Sequence, residues 1–80
     1  MNNQTKYYAE KIKLLRHELS LSQQELANKI NELQTYHHRS GIVTRESINR
    51  LENGKRTTAL PYTRLILAIE KIKKIEIKNQ

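Results

Sequence analysis

The chain has no cysteine, tryptophan or phenylalanine, one proline and two glycines in 80 residues. Without cysteine there is neither a disulfide framework nor a thiolate metal site, so a reducing cytoplasm is the expected setting. No apolar run approaches the ~20 residues that cross a bilayer, and the opening Met1-Asn2-Asn3-Gln4-Thr5-Lys6 carries no apolar signal region. A membrane role is therefore not expected. Enzymatic machinery is also missing: there is no glycine-rich phosphate loop and no plausible nucleophile and base set, and so small a bundle has little concavity for a substrate pocket. Neither enzyme activity nor a cofactor is expected. The adjacent His37 and His38 supply too few convergent ligands for a metal ion.

What remains is rich in Ile, Leu, Glu, Lys, Arg and Gln, which favours an all-α fold with short connections. Eighty residues make a single domain, 1–80, near the lower limit for a fold without staples. The formal net charge is +7. It is unevenly spread, because residues 39–64 hold six basic side chains against two acidic ones, while residues 1–38 hold five against four. Arg and polar amides set among apolar anchors suit a folded surface that meets a polyanion, although a solvated basic face has the same composition.

Periodicity predicts four to five helices. Ile12, Leu15 and Leu19 give an amphipathic first helix over Tyr7 to Ser20. Ser22 and Glu25 then form a capping box, flanked by a Leu21–Leu26 hydrophobic staple. The second helix turns Leu26, Ala27, Ile30 and Leu33 inward and ends near Gln34 or Thr35. A polar stretch to Gly41 follows, and Thr44 caps a short third helix that Asn53-Gly54 terminates. After a basic loop, Pro61 starts a last helix with Leu65, Ala68, Ile69, Ile72 and Ile75 inward. Tyr7, Tyr8 and Tyr62 are expected to be partly buried packing residues.

The third helix narrows the function. At about 100° per residue, Ile48 and Leu51 share one side, and Arg45, Glu46, Asn49, Arg50 and Asn53 occupy the other. Arg can donate twice to guanine, Asn can bond adenine and Glu can accept from cytosine, all within the major groove. The same face also fits an ordinary solvated surface with an i, i+4 pair between Glu46 and Arg50.

The segments Leu21-Ser22-Gln23-Gln24-Glu25-Leu26-Ala27 and Val43-Thr44-Arg45-Glu46-Ser47-Ile48-Asn49-Arg50-Leu51-Glu52-Asn53-Gly54-Lys55-Arg56 resemble those of the Cro/C1-type, or XRE-family, helix-turn-helix regulators. The resemblance spans about Ile12 to Ile72 and implies a lambda-repressor-like domain whose helix near 45–52 enters the major groove. It implies base contacts from Arg45, Glu46, Asn49 and Arg50. Phosphate contacts are implied for Gln23, Thr44, Ser47, Asn53, Lys55 and Arg56, and Thr57 and Thr58 can add hydroxyl donors. It also pairs Arg16 with Glu52 as a structural lock, which suits the position of Glu52 at the border of the buried stripe. The chain departs from the family in a lengthened connection between helices two and three, where His37, His38 and Arg39 either reach phosphate or only extend the loop.

The implied function is a sequence-specific double-stranded DNA-binding transcriptional regulator of phage or mobile-element type, a repressor or autorepressor. It would act as a homodimer on a pseudo-palindromic operator. Ile72, Ile75 and Ile77 are candidates for the dimer contact, unless they only close the core. Two other readings stay open, an antitoxin-type DNA-binding partner of a toxin and an RNA-binding regulator.

Overall fold

The computed structural model describes residues 3–36, 42–55 and 60–78. Four helices follow in chain order: α1 (Asn3–Glu18), α2 (Gln23–Leu33), α3 (Arg45–Glu52) and α4 (Tyr62–Lys78). There is no strand among the described residues. α1 starts four residues earlier than its apolar spacing predicts. That spacing marks where burial begins, and nothing in Gln4-Thr5-Lys6 breaks a helix before it.

Two helix ends and two helix starts set the geometry of the first half. α1 closes with Ser20 in the left-handed region at φ 57°. The Ser20 N–H donates to the His17 carbonyl at 2.9 Å and the Leu21 N–H to the Arg16 carbonyl at 3.3 Å. These are the two bonds of a Schellman turn, formed here without glycine. Two residues later Ser22 caps α2: its hydroxyl accepts from the Glu25 N–H at 3.0 Å and its own N–H donates to the Glu25 carboxylate at 2.9 Å. α2 ends at Gln34, again left-handed, with φ 54°. Thr44 caps α3 by accepting from the Ser47 N–H at 3.2 Å. Pro61 stands just ahead of α4, and its carbonyl accepts from the Leu65 N–H at 3.1 Å.

The core joins all four helices. Ile12 comes from α1, Leu26 and Ile30 from α2, Ile48 and Leu51 from α3, and Leu65, Ile69 and Ile72 from α4, every one of them fully buried. Burying side chains of this size contributes about 1.5–3 kcal/mol each, which is why so small a chain holds together without a disulfide. α4 packs against α1 and α2, and α3 packs against the same two helices. Leu15, Leu19, Leu21 and Leu33 seal the margin as half-buried residues. Two salt bridges tie the outside of α4 down, Lys73 to Glu18 at 2.7 Å and Lys29 to Glu76 at 3.0 Å. Ile75 is half-buried rather than fully inward, and the side chain of Ile77 lies outside the described residues.

The tyrosines divide. Tyr8 and Tyr62 are half-buried and stack with ring centroids 6.1 Å apart. Tyr7, expected to be partly buried with them, is exposed, because it lies on the side of α1 turned away from Ile12.

The capping box generates a pH dependence. The Ser22 backbone N–H, and then the Ser22 hydroxyl, hold the Glu25 carboxyl below its ordinary pKa. A lowered folded-state pKa gives a contribution that is complete above the unfolded value of about 4.3 and is lost as pH falls through the lower folded value. Glu25→Gln should therefore flatten the acid limb of a stability-against-pH curve, and Ser22→Ala should cost ~1 kcal/mol near neutrality. Thermal melts followed by circular dichroism check both.

Candidate nucleic-acid interface

α3 is built as a two-sided element. Its inner side carries Ile48 and Leu51 into the core, and its outer side leaves Arg45, Glu46, Asn49, Arg50 and Asn53 exposed. Thr44 and Ser47 are half-buried at its start, with their hydroxyls 3.1 Å apart. At its end Gly54 takes φ 75°, its N–H donates to the Leu51 carbonyl at 3.1 Å, and the Lys55 N–H donates to the Arg50 carbonyl at 2.8 Å. This second Schellman turn needs the left-handed conformation that glycine accepts without strain. It turns the chain sharply, so the exposed Lys55 follows at the C-terminal edge of the outer face.

Beneath this face lies an ion pair. The Arg16 Nε donates to one Glu52 carboxylate oxygen at 2.6 Å, and the Arg16 Nη2 to the other at 2.9 Å. The side chains are only 12% and 2% exposed. Two parallel charge-assisted bonds of this kind fix orientation as well as distance. Arg16 has a third bond, from Nη1 to the Leu21 carbonyl at 2.9 Å, so one guanidinium joins α1, the turn before α2 and α3. The Glu52 hydrogen bond holds the Arg16 pKa above its ordinary value, against the opposing effect of burial. The carboxylate charge is thus met inside the molecule, and α3 carries no unneutralised anion at its base.

The network continues to the surface. The Gln23 Nε2 donates to Glu52 Oε1 at 3.2 Å, and the Asn49 Nδ2 donates to Gln23 Oε1 at 3.2 Å. Asn53 in turn donates from Nδ2 to the Asn49 carbonyl at 2.8 Å and to Asn49 Oδ1 at 3.2 Å. The amide of Gln23 is engaged at both ends, between the buried pair and the outer face, instead of standing alone at the start of α2.

Asn31 supplies a contact that periodicity cannot reveal. Its Nδ2 donates to the Val43 carbonyl and its Oδ1 accepts from the Val43 N–H, each at 2.8 Å. This doubly bonded amide ties α2 to the backbone just ahead of the Thr44 cap, across the connection at 34–44. An Asn within a helix, where its propensity is poor, is the one hint in the sequence.

The structure therefore groups Gln23, Thr44, Arg45, Glu46, Ser47, Asn49, Arg50, Asn53 and Lys55 on and around α3, with the Arg16–Glu52 pair beneath. Arg56, Thr57 and Thr58 lie outside the described residues, as do His37, His38 and Arg39. Among the described residues no three His, Cys, Asp or Glu side chains converge as metal ligands, and no helix is long and apolar enough to cross a membrane. No family model, curated protein or solved structure matches the chain.

Breaking the ion pair should be costly. Arg16→Ala leaves a buried carboxylate without its partner, for an expected loss of ~3–5 kcal/mol. The double variant Arg16→Met, Glu52→Leu should lose clearly less, since no charge is left uncompensated. Urea unfolding of the three proteins checks the order.

Proposed function

We propose that the chain is a sequence-specific double-stranded DNA-binding regulator of helix-turn-helix type, in which α3 lies in the major groove and α2 crosses the phosphate backbone. One observation carries the reading. The outer face of α3 combines two guanidinium forks, a carboxylate and two amides on a helix whose inner face is locked by a bidentate ion pair and two caps. Arg45 and Arg50 can donate to guanine O6 and N7, Asn49 can bond adenine, and Glu46 can accept from cytosine N4. Lys55, beyond the Gly54 turn, and Thr44 and Ser47, at the start of the helix, are suited to phosphate contacts. Arg56 extends this set in sequence.

The size of the molecule agrees with a half-site mode of binding. Its extents are 38 × 27 × 18 Å, so one copy covers about one turn of duplex, ~34 Å. A second copy related by two-fold symmetry would then occupy the next major groove on the same side, and a pseudo-palindromic operator would mirror that symmetry. The mechanism that follows is steric: an occupied operator excludes polymerase, and the protein acts as a repressor.

Two kinds of variant distinguish base reading from phosphate binding. After selection of a preferred duplex from random DNA, Arg45→Ala or Arg50→Ala should each lose ~1–3 kcal/mol of discrimination at one base position. Lys55→Ala should weaken binding to selected and random duplexes alike and reduce the slope of log K against log salt by about one. Fluorescence anisotropy titrations give both quantities. Equal loss on selected and random DNA for both arginine variants would remove α3 from the groove, and displacement of the duplex by structured RNA at equal concentration would favour an RNA ligand.

A further inference from the structure

Three side-chain amides run in line from the buried ion pair to the outer face of α3. Gln23 is half-buried, and Asn49 and Asn53 are exposed. Every bond in the line has a fixed direction. The Glu52 carboxylate, held at both oxygens by Arg16, only accepts, so Gln23 turns Nε2 inward, to Glu52 Oε1 at 3.2 Å, and Oε1 outward. That outward oxygen also only accepts, and Asn49 meets it with Nδ2 at 3.2 Å. The Asn49 Oδ1 is thereby left to Asn53, whose Nδ2 donates to it at 3.2 Å and to the Asn49 carbonyl at 2.8 Å. Turning over any one of these amides sets oxygen against oxygen or N–H against N–H. A buried carboxylate thus dictates which end of a surface amide points where.

We infer that Asn49 is a dedicated adenine reader whose amide is set in advance by Gln23 and Asn53, both acting as positioning residues. The count of hydrogen-bonding sites carries this. A primary amide has two N–H donors and two acceptor lone pairs. The line of bonds uses one of each on Asn49, and one of each is left. In the major groove adenine presents one acceptor, N7, and one donor, N6–H, whereas guanine presents two acceptors, N7 and O6. One donor beside one acceptor matches adenine at both points and guanine at only one. An amide free to turn over also meets thymine O4 or cytosine N4, and it loses rotamer freedom when it binds. The held amide has given up that freedom before any ligand arrives.

The inference rests on the reading of α3 as the helix in the groove, but the line of bonds belongs to the free protein and is tested there first. It gives Gln23 a role distinct from a phosphate contact. Loss of a phosphate contact weakens all sequences alike, whereas loss of a positioning residue removes preference at one base.

The first measurement is proton–nitrogen NMR of the free full chain. Gln23→Met keeps the length of the side chain and removes its amide, so the Asn49 side-chain NH2 signals should shift. The second is anisotropy titration with a duplex selected from random DNA and its single-base variants. Asn49→Ala should lower the preference for adenine over guanine at one position by about tenfold or more. Gln23→Met should lower the preference at that same position by about threefold or more, and add nothing once Asn49 is alanine. Circular dichroism confirms the fold of each variant, and Gln23→Ala replaces Gln23→Met if methionine disturbs the packing. Unmoved Asn49 signals in the Gln23 variant overturn the proposal, as does an Asn49-dependent position that is not adenine. Equal weakening of selected and random duplexes by the Gln23 variant makes Gln23 a phosphate contact and overturns it too. In each of those cases Arg45 and Arg50 still read their own positions. Absence of any sequence preference in the wild type, with the NMR shifts intact, instead removes the operator reading, and the adenine assignment falls with it.

Discussion

Outside the apolar core, the mutual orientation of α1, the start of α2 and α3 depends on a single guanidinium. Arg16 binds both oxygens of Glu52 and the carbonyl of Leu21, and thereby fixes three elements with respect to one another: the end of α1, the turn before α2, and the last residue of α3. An aliphatic contact at this place would hold the helices together but leave α3 free to rotate a little about its own axis. Two parallel N–H···O bonds do not allow that rotation. The direction in which Arg45, Asn49 and Arg50 project is a consequence of this constraint.

From the buried pair, order spreads outward through amides. Gln23 and Asn49 form a short bridge from Glu52 to the surface, and Asn53 adds a last strut along α3. Amides suit such a bridge, since each can donate and accept at once and none adds charge. The outer face of α3 is thereby stiffened without a surface carboxylate beyond Glu46. The strongly held side chains lie deepest, and the cations at the periphery, Arg45 and Lys55, are exposed.

Local signals account for much of what could be read in the residues. The Ser22–Glu25 box, the Thr44 cap and the Gly54 turn depend on contacts within six residues, so short motifs suffice to find them. The inward positions of α2, α3 and α4 follow from helical spacing. The pairing of Arg16 with Glu52, 36 residues apart, came only through resemblance, and spacing alone could not join them. Other features had no local mark. The left-handed Ser20 gave no warning because glycine is absent there, and the exposure of Tyr7 depends on which side of α1 meets the core. The bond from Asn31 to Val43 spans a connection of no regular pattern. Whether α3 reads DNA belongs to chemistry beyond the chain, which folding rules do not address.

That Asn31 bond also separates two quantities that helix connections usually link. Asn31 pins the backbone just ahead of α3 directly to α2, so the residues joining the two helices are not what holds them at their distance. Lengthening the chain between Tyr36 and Ile42 then costs only the slow, logarithmic entropy of a larger loop, each doubling adding about 0.6 kcal/mol. The connection is therefore a port for engineering, where a reporter peptide or a small domain can be inserted while Thr44 still arrives in register to cap α3.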